Sequence, residues 1–266
     1  MILRMQNLPA QWIQPVWPTH ARVRALMTSR QGGVSAAPWD SMNLGDHVGD
    51  HDADVQANRQ RLARLIGQRP VFLKQVHGVE SVQLDAATYQ DQQADACWTS
   101  GPGVACTIMV ADCLPVLLSD AAGRWVAAAH AGWRGLAGAQ GHGVLESLWA
   151  SLKRSGADLS DTMAWLGPCI GRQAFEVGPE VRSVFDDGSA EVQALFTPAA
   201  QGKFMADLAG LARNRLHHLG ISRVFGNDSS PPWCTVAGSE FFFSHRRDSR
   251  SLGQSGRMAA CIWLDH

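Results

Sequence analysis

Excess charge of either sign is absent: 23 Lys and Arg stand against 24 Asp and Glu, a formal net charge of -1. The chain therefore offers no electrostatic footprint for nucleic acid or for an acidic membrane surface. No apolar run approaches the length of a membrane span, and the opening Met1-Ile2-Leu3-Arg4-Met5-Gln6 lacks the apolar core of an export signal. Six cysteines, at 97, 106, 113, 169, 234 and 261, form no C-x-x-C pair. Without an export signal they read as reduced thiols, mostly core fillers, in a cytoplasm. The ten histidines include no H-x-H pair, the repeated element that multicopper oxidases need beside a Cys-His segment. Tyrosine occurs once against ten tryptophans, an imbalance that selects no function class.

What is present fits an ordinary globule, with 45% hydrophobic and 18% charged residues in 266, enough to bury a sizeable core. No repeat or long linker appears. The Pro/Ser-rich break Asn227-Asp228-Ser229-Ser230-Pro231-Pro232 is too short to divide the chain, so a single domain over 1–266 is expected. Apolar residues recur at helical spacing from Asp54, a possible cap, to Ile66, with Gly67 closing the end. Val144, Leu145, Leu148, Trp149 and Leu152 form a second stripe before Gly156. Leu208, Leu211, Ala212, Leu216 and Leu219 form a third before Gly220, and Pro179 opens a short helix carrying Val181, Val184 and Phe185. Strands are expected at Val71–Val76, Val104–Val110, Pro115–Leu118, Trp125–Ala129, Ala164–Leu166, Arg223–Phe225, Phe241–Ser244 and Met258–Trp263. Several are apolar on both faces, which requires cover on both sides of the sheet. Strands and helices do not alternate in a βαβ rhythm, so the class expected is α+β rather than doubly wound.

Three side chains stand out, in Gln75-Val76-His77-Gly78, Ala111-Asp112-Cys113-Leu114-Pro115 and His130-Ala131-Gly132-Trp133-Arg134-Gly135. Each of His77, Cys113 and His130 ends a short apolar run and is followed by residues that end strands, where sites tend to form. Two imidazoles and a thiolate suit a borderline-soft cation such as Zn²⁺, and three ligands leave a fourth position for water or substrate. Each residue taken alone reads as a satisfied core residue, and it is the three together that suggest a site. Ligation would require Cys113 as thiolate, and Asp112 or nearby histidines could orient the imidazoles.

The glycine-rich stretch from Gly132 to Gly143, with Arg134 beside it, is neither a Walker loop nor G-x-G-x-x-G. Its backbone N–H groups could receive an anion, and close helix packing explains the glycines equally well. Two turn-rich segments, Thr28–Ser35 and Ser41–Asp50, suggest a binding loop. In it Arg30 and Arg59 would contact an anion, while Asn43 and His47 would hydrogen-bond a polar ligand. His47 and His51 are four apart, but the intervening Gly49 and Asp50 disfavour a helix, and His51 reads as a surface residue. Phe241–Ser244 followed by His245-Arg246-Arg247-Asp248 reads as a buried strand and a solvated loop.

Arg30-Gln31-Gly32-Gly33-Val34-Ser35, Asn43-Leu44-Gly45-Asp46-His47-Val48-Gly49-Asp50, Asn58-Arg59, the three segments around His77, Cys113 and His130, Gly167-Pro168-Cys169-Ile170-Gly171 and Phe243-Ser244-His245-Arg246-Arg247-Asp248 run collinearly over nearly the whole chain. This pattern resembles the YfiH-like family, long labelled polyphenol oxidase or laccase-domain proteins. The resemblance implies an α-β-β-α sandwich shared with a cysteine-dependent bacterial deamidase toxin. It implies zinc at His77, Cys113 and His130, which are then also the candidate catalytic groups. The implied activity is purine nucleoside phosphorylase on adenosine, inosine and 5′-methylthioadenosine, with adenosine deaminase activity in the same site. Arg30, Asn43, His47, Arg59 and Arg134 are the candidate substrate contacts, and the partners are small molecules: purine nucleosides and phosphate. Two alternatives stay open. One is copper-dependent phenol oxidation, which the missing H-x-H pairs disfavour. The other is a metal-free amidase with Cys113 as nucleophile and His130 as base, acting on cell-wall precursors and leaving His77 without a role. The oligomeric state is not legible.

Overall fold

The computed structural model describes residues 8–266; the opening segment read above for an export signal lies outside them. Four strands build the first sheet. β1 (Val23–Met27) and β2 (Arg69–Phe72) lie at its edges, with β5 (Val104–Val110) and β13 (Met258–Leu264) between them in the order β1-β13-β5-β2. The second sheet contains β3 (Ser81–Gln83), β4 (Ala96–Thr99), β6 (Leu114–Asp120), β7 (Val126–Ala131), β8 (Thr162–Leu166) and β12 (Arg223–Gly226), ordered β12-β8-β6-β7-β4-β3. A small third sheet joins β9 (Glu176–Val177), β10 (Phe196–Pro198) and β11 (Phe204–Ala206). The helices are α1 (Asp52–Ile66), α2 (Trp133–Ala137), α3 (Val144–Arg154), α4 (Pro179–Phe185), α5 (Ala190–Gln193), α6 (Leu208–His218) and α7 (His245–Leu252).

The strands alternate their apolar residues between two cores, as the period of two requires. Cys106, Ile108 and Val110 of β5 join Ala260 and Ile262 of β13 in meeting Leu117, Ala128 and Trp165 of the second sheet, which forms the inter-sheet core. On the far face of the first sheet, Ala105, Met109, Cys261 and Trp263 pack on Leu62 and Ile66 of α1. On the far face of the second, Val116, Leu118, Ala127 and Ala129 meet Leu145, Leu148 and Leu152 of α3 and Leu211 and Leu216 of α6. The layers therefore run helix, sheet, sheet, helix, the α+β sandwich that the resemblance implies. Burying each such Leu or Ile contributes roughly 1.5–3 kcal/mol. Among the described residues the first and last strands pair directly, Leu26 opposite Cys261.

Several sequence expectations need correction. Helix α1 starts at Asp52 with His51 at the cap position; Asp54 lies in the first turn, where its charge complements the helix dipole without capping it. Gly67 closes α1 with φ 66°, as its position suggests. The strand expected to reach Val76 ends at Phe72, because the next residues leave the sheet to build the site described below. Phe241–Ser244 forms no strand. The N–H groups of Phe241 and Phe242 both donate to the Gly238 carbonyl, which makes a turn. Phe243 is buried while Phe241 is exposed, and Ser244 caps α7 by accepting from Arg247 N. Val184 of α4 faces solvent rather than the core. All six cysteines are unpaired, and five are buried. No helix among the described residues is long and apolar enough to cross a membrane.

Candidate metal centre and its cleft

Strand register brings two of the three ligand candidates together. Cys113 immediately precedes β6, and His130 on the adjacent β7 pairs with Pro115. His77 arrives from the loop after β2 in the left-handed region, φ 59°, a conformation that a residue of this size adopts only when its surroundings enforce it. The enforcing group is Asp95, fully buried just ahead of β4. Its carboxylate accepts from the backbone N–H of Val76 at 3.1 Å, of His77 at 3.0 Å and of Gly78 at 2.7 Å. It also accepts from His130 Nδ1 at 2.8 Å. One carboxylate thus fixes the His77 loop and, by taking the Nδ1 proton, leaves Nε2 of His130 as the nitrogen free to bind a metal.

The ligand atoms of His77, Cys113 and His130 all lie within 4.8 Å of one another, with Cys113 Sγ 3.7 Å from His77 Nε2. Among the described residues this is the group of His, Cys, Asp and Glu side chains arranged to hold a metal ion. Gly132 makes the closeness possible. A β-carbon there would sit 2.9 Å from Cys113 Sγ and 3.0 Å from His77 Cδ2. The donor set and this bare backbone fit a tetrahedral ion with one position open.

Without an ion, Cys113 and His130 form a thiolate–imidazolium pair, and a metal would displace the Nε2 proton on binding. Burial pushes the Cys113 thiol up, but the His130 charge and hydrogen bonds from both imidazoles outweigh it and bring the pKa down to about 6. Burial likewise works against protonated His130, yet the Cys113 thiolate and Asp95 raise it to about 9. Asp95 itself titrates below its ordinary range, because the bonds from His130 and the backbone overcome its burial.

Asp112, expected to orient the imidazoles, does something else. It accepts from Thr235 Oγ1 at 2.6 Å, Ser244 Oγ at 3.1 Å and Arg246 N at 2.6 Å. It therefore ties the Cys113 turn to the start of α7, while Asp95 serves the histidines. The sequence reading missed Asp95; its one signal was a charge set in the otherwise apolar Ala94-Asp95-Ala96-Cys97-Trp98.

The triad opens into a cleft of about 510 Å³. Met109, Ile170, Phe175 and Leu208 give it apolar walls, and Trp133 an aromatic one. His47, Arg134, Arg246 and Arg257 supply its polar side. Arg134 stacks on Trp133, guanidinium carbon 4.4 Å from the ring centroid. Burial, first, and then Arg257 keep His47 below the ordinary imidazole pKa. Of the sequence-predicted contacts, the structure brings His47 and Arg134 into the cleft wall.

Arg30, Asn43 and Arg59 are placed elsewhere. Arg30 bonds the carbonyls of Asp40 and Ser239 and lies over Phe243. Arg59 pairs with Asp46 at 3.1 Å, bonds Leu44 O and stacks on Phe72. Asn43 is buried among backbone partners. These side chains hold loops, and none of the three lines the cleft. The glycine-rich stretch is also structural. A β-carbon at Gly135 would meet Gly78 O at 2.8 Å and one at Gly143 would meet Leu136 O at 2.1 Å, so the glycines there permit backbone to pass against backbone.

Residues 24–265 match the family described as multi-copper polyphenol oxidoreductase laccase. A Pseudomonas aeruginosa protein named purine nucleoside phosphorylase is 50% identical over 254 residues, 95% of this chain and 98% of that one. The Escherichia coli purine nucleoside phosphorylase YfiH is 44% identical over the same shares. A Neisseria meningitidis protein of known crystal structure superposes with a TM-score of 0.87 at 42% identity, covering 96% of this chain and 100% of that one. YlmD of Geobacillus stearothermophilus does so at 0.85 and 30%, covering 98% and 99%.

Proposed function

The chain belongs to the laccase-like family just described, and from that premise we propose that it is a zinc-dependent purine nucleoside phosphorylase. Its substrates on this reading are adenosine, inosine and 5′-methylthioadenosine, and adenosine deamination occurs in the same site. The observation that carries the proposal is three convergent ligand atoms facing a cleft with apolar walls and several guanidinium groups. The names of the relatives supply the nucleoside.

His77 Nε2, His130 Nε2 and Cys113 Sγ would hold the ion, which when bound supplies a Lewis acid with one open position. The chain's own groups do the rest. Trp133 and Phe175 offer faces on which a purine can lie, and Met109, Ile170 and Leu208 exclude water around the sugar. In phosphorolysis an oxygen of phosphate bonds to the anomeric carbon, the glycosidic C–N bond breaks, and the purine leaves with a proton. The guanidinium-rich side of the cleft balances the charge of that nucleophile. Asp95 keeps His130 in one tautomer throughout. In deamination, water adds at C6 and ammonia departs.

Chromatography of products separates the two reactions. Incubation with adenosine is expected to give adenine only when phosphate is present, and inosine whether or not it is. Adenine without phosphate, or no purine product at all, would refute the assignment.

One geometric feature favours a second reading, a metal-free cysteine amidase. Cys113, His130 and Asp95 stand in the order nucleophile, base and orienting acid, and the Cys113 pKa of about 6 makes a thiolate at neutral pH. Iodoacetamide discriminates between the readings. The zinc reading expects Cys113 of metal-stripped protein to be alkylated rapidly at pH 7 and zinc at one equivalent to protect it. Equal rates with and without zinc favour the amidase.

A further inference from the structure

Arg257 immediately precedes β13 and lines the cleft, where the proposed activity so far gives it only a share in balancing the charge of phosphate. Its surroundings are built to hold it. Asn43 Oδ1 accepts from Arg257 N at 2.8 Å, and Leu44 N donates to Arg257 O at 3.0 Å. The backbone of Gly45 lies flat on its aliphatic stem, where a β-carbon would stand 2.7 Å from Arg257 Cγ. Asn43 is itself fixed by Asp50 Oδ2 at 2.9 Å and Gly45 O at 3.0 Å.

At the other end of the side chain, Nη1 donates to the carbonyls of Ser255 and Gly256 at 2.8 and 3.2 Å. Nε and Nη2 donate to no described residue, and no carboxylate comes within ion-pair distance. The other candidate cations differ. Arg59 is neutralised by Asp46, and Arg246 is turned to the carbonyls of Ala174 and Glu176. Arg134 is exposed and held only by stacking on Trp133.

An immobilised guanidinium with free donors, largely removed from water and lacking an acid, is a preorganised site for a tetrahedral oxyanion. We propose that Arg257 is the anchor for inorganic phosphate in this cleft, and that Asn43 and Gly45 are positioning residues that aim it. This rests on the phosphorylase reading for the identity of the anion. It also gives the Asn43-Leu44-Gly45 segment a role as the mount of a contact rather than a contact itself.

Calorimetric titration of inorganic phosphate into the zinc-loaded protein tests the anchor. Arg257→Gln is expected to weaken phosphate binding about ten- to a hundredfold, the weight of one or two charged hydrogen bonds. Arg257→Lys should fall between, because an ammonium restores charge without the planar fork. Arg134→Gln should cost less than either. In steady-state phosphorolysis Gly45→Ala should raise KM for phosphate while KM for adenosine holds.

Equal phosphate affinity in wild type and Arg257→Gln, or no binding in wild type, overturns the anchor. So does a response that depends on Arg257 with adenosine 5′-monophosphate alone, which would assign the donors to a phosphoester. If phosphate binds through Arg257 but adenosine yields no adenine, the anchor stands and the phosphorylase reading falls. If adenine forms and Arg257→Gln leaves the phosphate KM unchanged, only the anchor falls.

Discussion

Asp95→Asn is expected to cost both the metal and much of the stability. The native carboxylate accepts four hydrogen bonds: His77 N and His130 Nδ1 on one oxygen, Val76 N and Gly78 N on the other. Asparagine has one acceptor oxygen and one donor NH₂ group, so whichever way it turns, its NH₂ faces two N–H groups. The pocket is closed to water, and the buried donors left unpaired, with the lost charge opposite His130, should destabilise the fold by roughly 3–5 kcal/mol. Metal affinity should fall about 10- to 100-fold, the usual scale for removing a carboxylate behind a ligating histidine. Zinc content after dialysis against a weak chelator, read beside a thermal melt of the metal-free protein, checks both halves. Wild-type zinc retention in the variant would mean that Asp95 does not orient the centre. A conserved melt with lost zinc would mean that it orients the histidine without holding the His77 loop.

How far the fold was legible follows from the same physics. Strands β5 and β13 are seven-residue runs, apolar but for Thr107, and a run buried on both faces announces itself by composition alone. β4 contributes only Ala-Cys-Trp-Thr and β3 only Ser-Val-Gln. They are strands because β7 and each other's edges supply hydrogen-bond partners, a fact of tertiary pairing that no local pattern holds. α7 shows the converse. His245-Arg246-Arg247-Asp248-Ser249-Arg250-Ser251-Leu252 has no apolar stripe, so the period that exposed α3 and α6 is missing.

It is held by polar bonds, with Arg247 donating to the carbonyls of Thr235, Val236 and Phe242 and Asp248 accepting from Ser244 N and Ser255 Oγ. The cap at Ser244 and the Gly253 that ends it were the readable signals. The preceding triple phenylalanine concealed them by imitating a strand.

The site divides along a similar line. The candidate ligands were legible because their chemistry is in their residue types. The residues that arrange them were not. Asp95 reaches back to the 76–78 loop and forward to His130, and Arg257 is mounted by a loop more than two hundred positions earlier, |i−j| = 214 for the Asn43 bond. Conversely, Arg30 and Arg59 carry the residue type that binds anions, but Asp40 and Asp46 occupy them. A cation's partner is a matter of folding, so charge type in a polar loop does not reveal which side chains reach the cleft.

Gly132→Ala should separate metal binding from folding more sharply than any ligand substitution. The backbone there has φ -65° and ψ 155°, a region that alanine adopts freely, so no conformational penalty arises. The penalty is steric and local. The new methyl would lie 2.9 Å from Cys113 Sγ and 3.0 Å from His77 Cδ2, and neither neighbour can retreat cheaply. Cys113 is fixed between the Asp112 clamp and β6, and the His77 loop is fixed by Asp95. The methyl must therefore wedge apart a sulfur and an imidazole whose 3.7 Å approach the proposed chelation uses. Overpacking of this kind costs roughly 1–3 kcal/mol in the metal-free fold, while the ion loses the simultaneous reach of its ligands. The expected outcome is a stoichiometry well below one zinc per chain and loss of phosphorolysis, with a cooperative melt only modestly lowered. Full zinc occupancy in Gly132→Ala would show that the triad closes around an ion in some other arrangement than the one seen here.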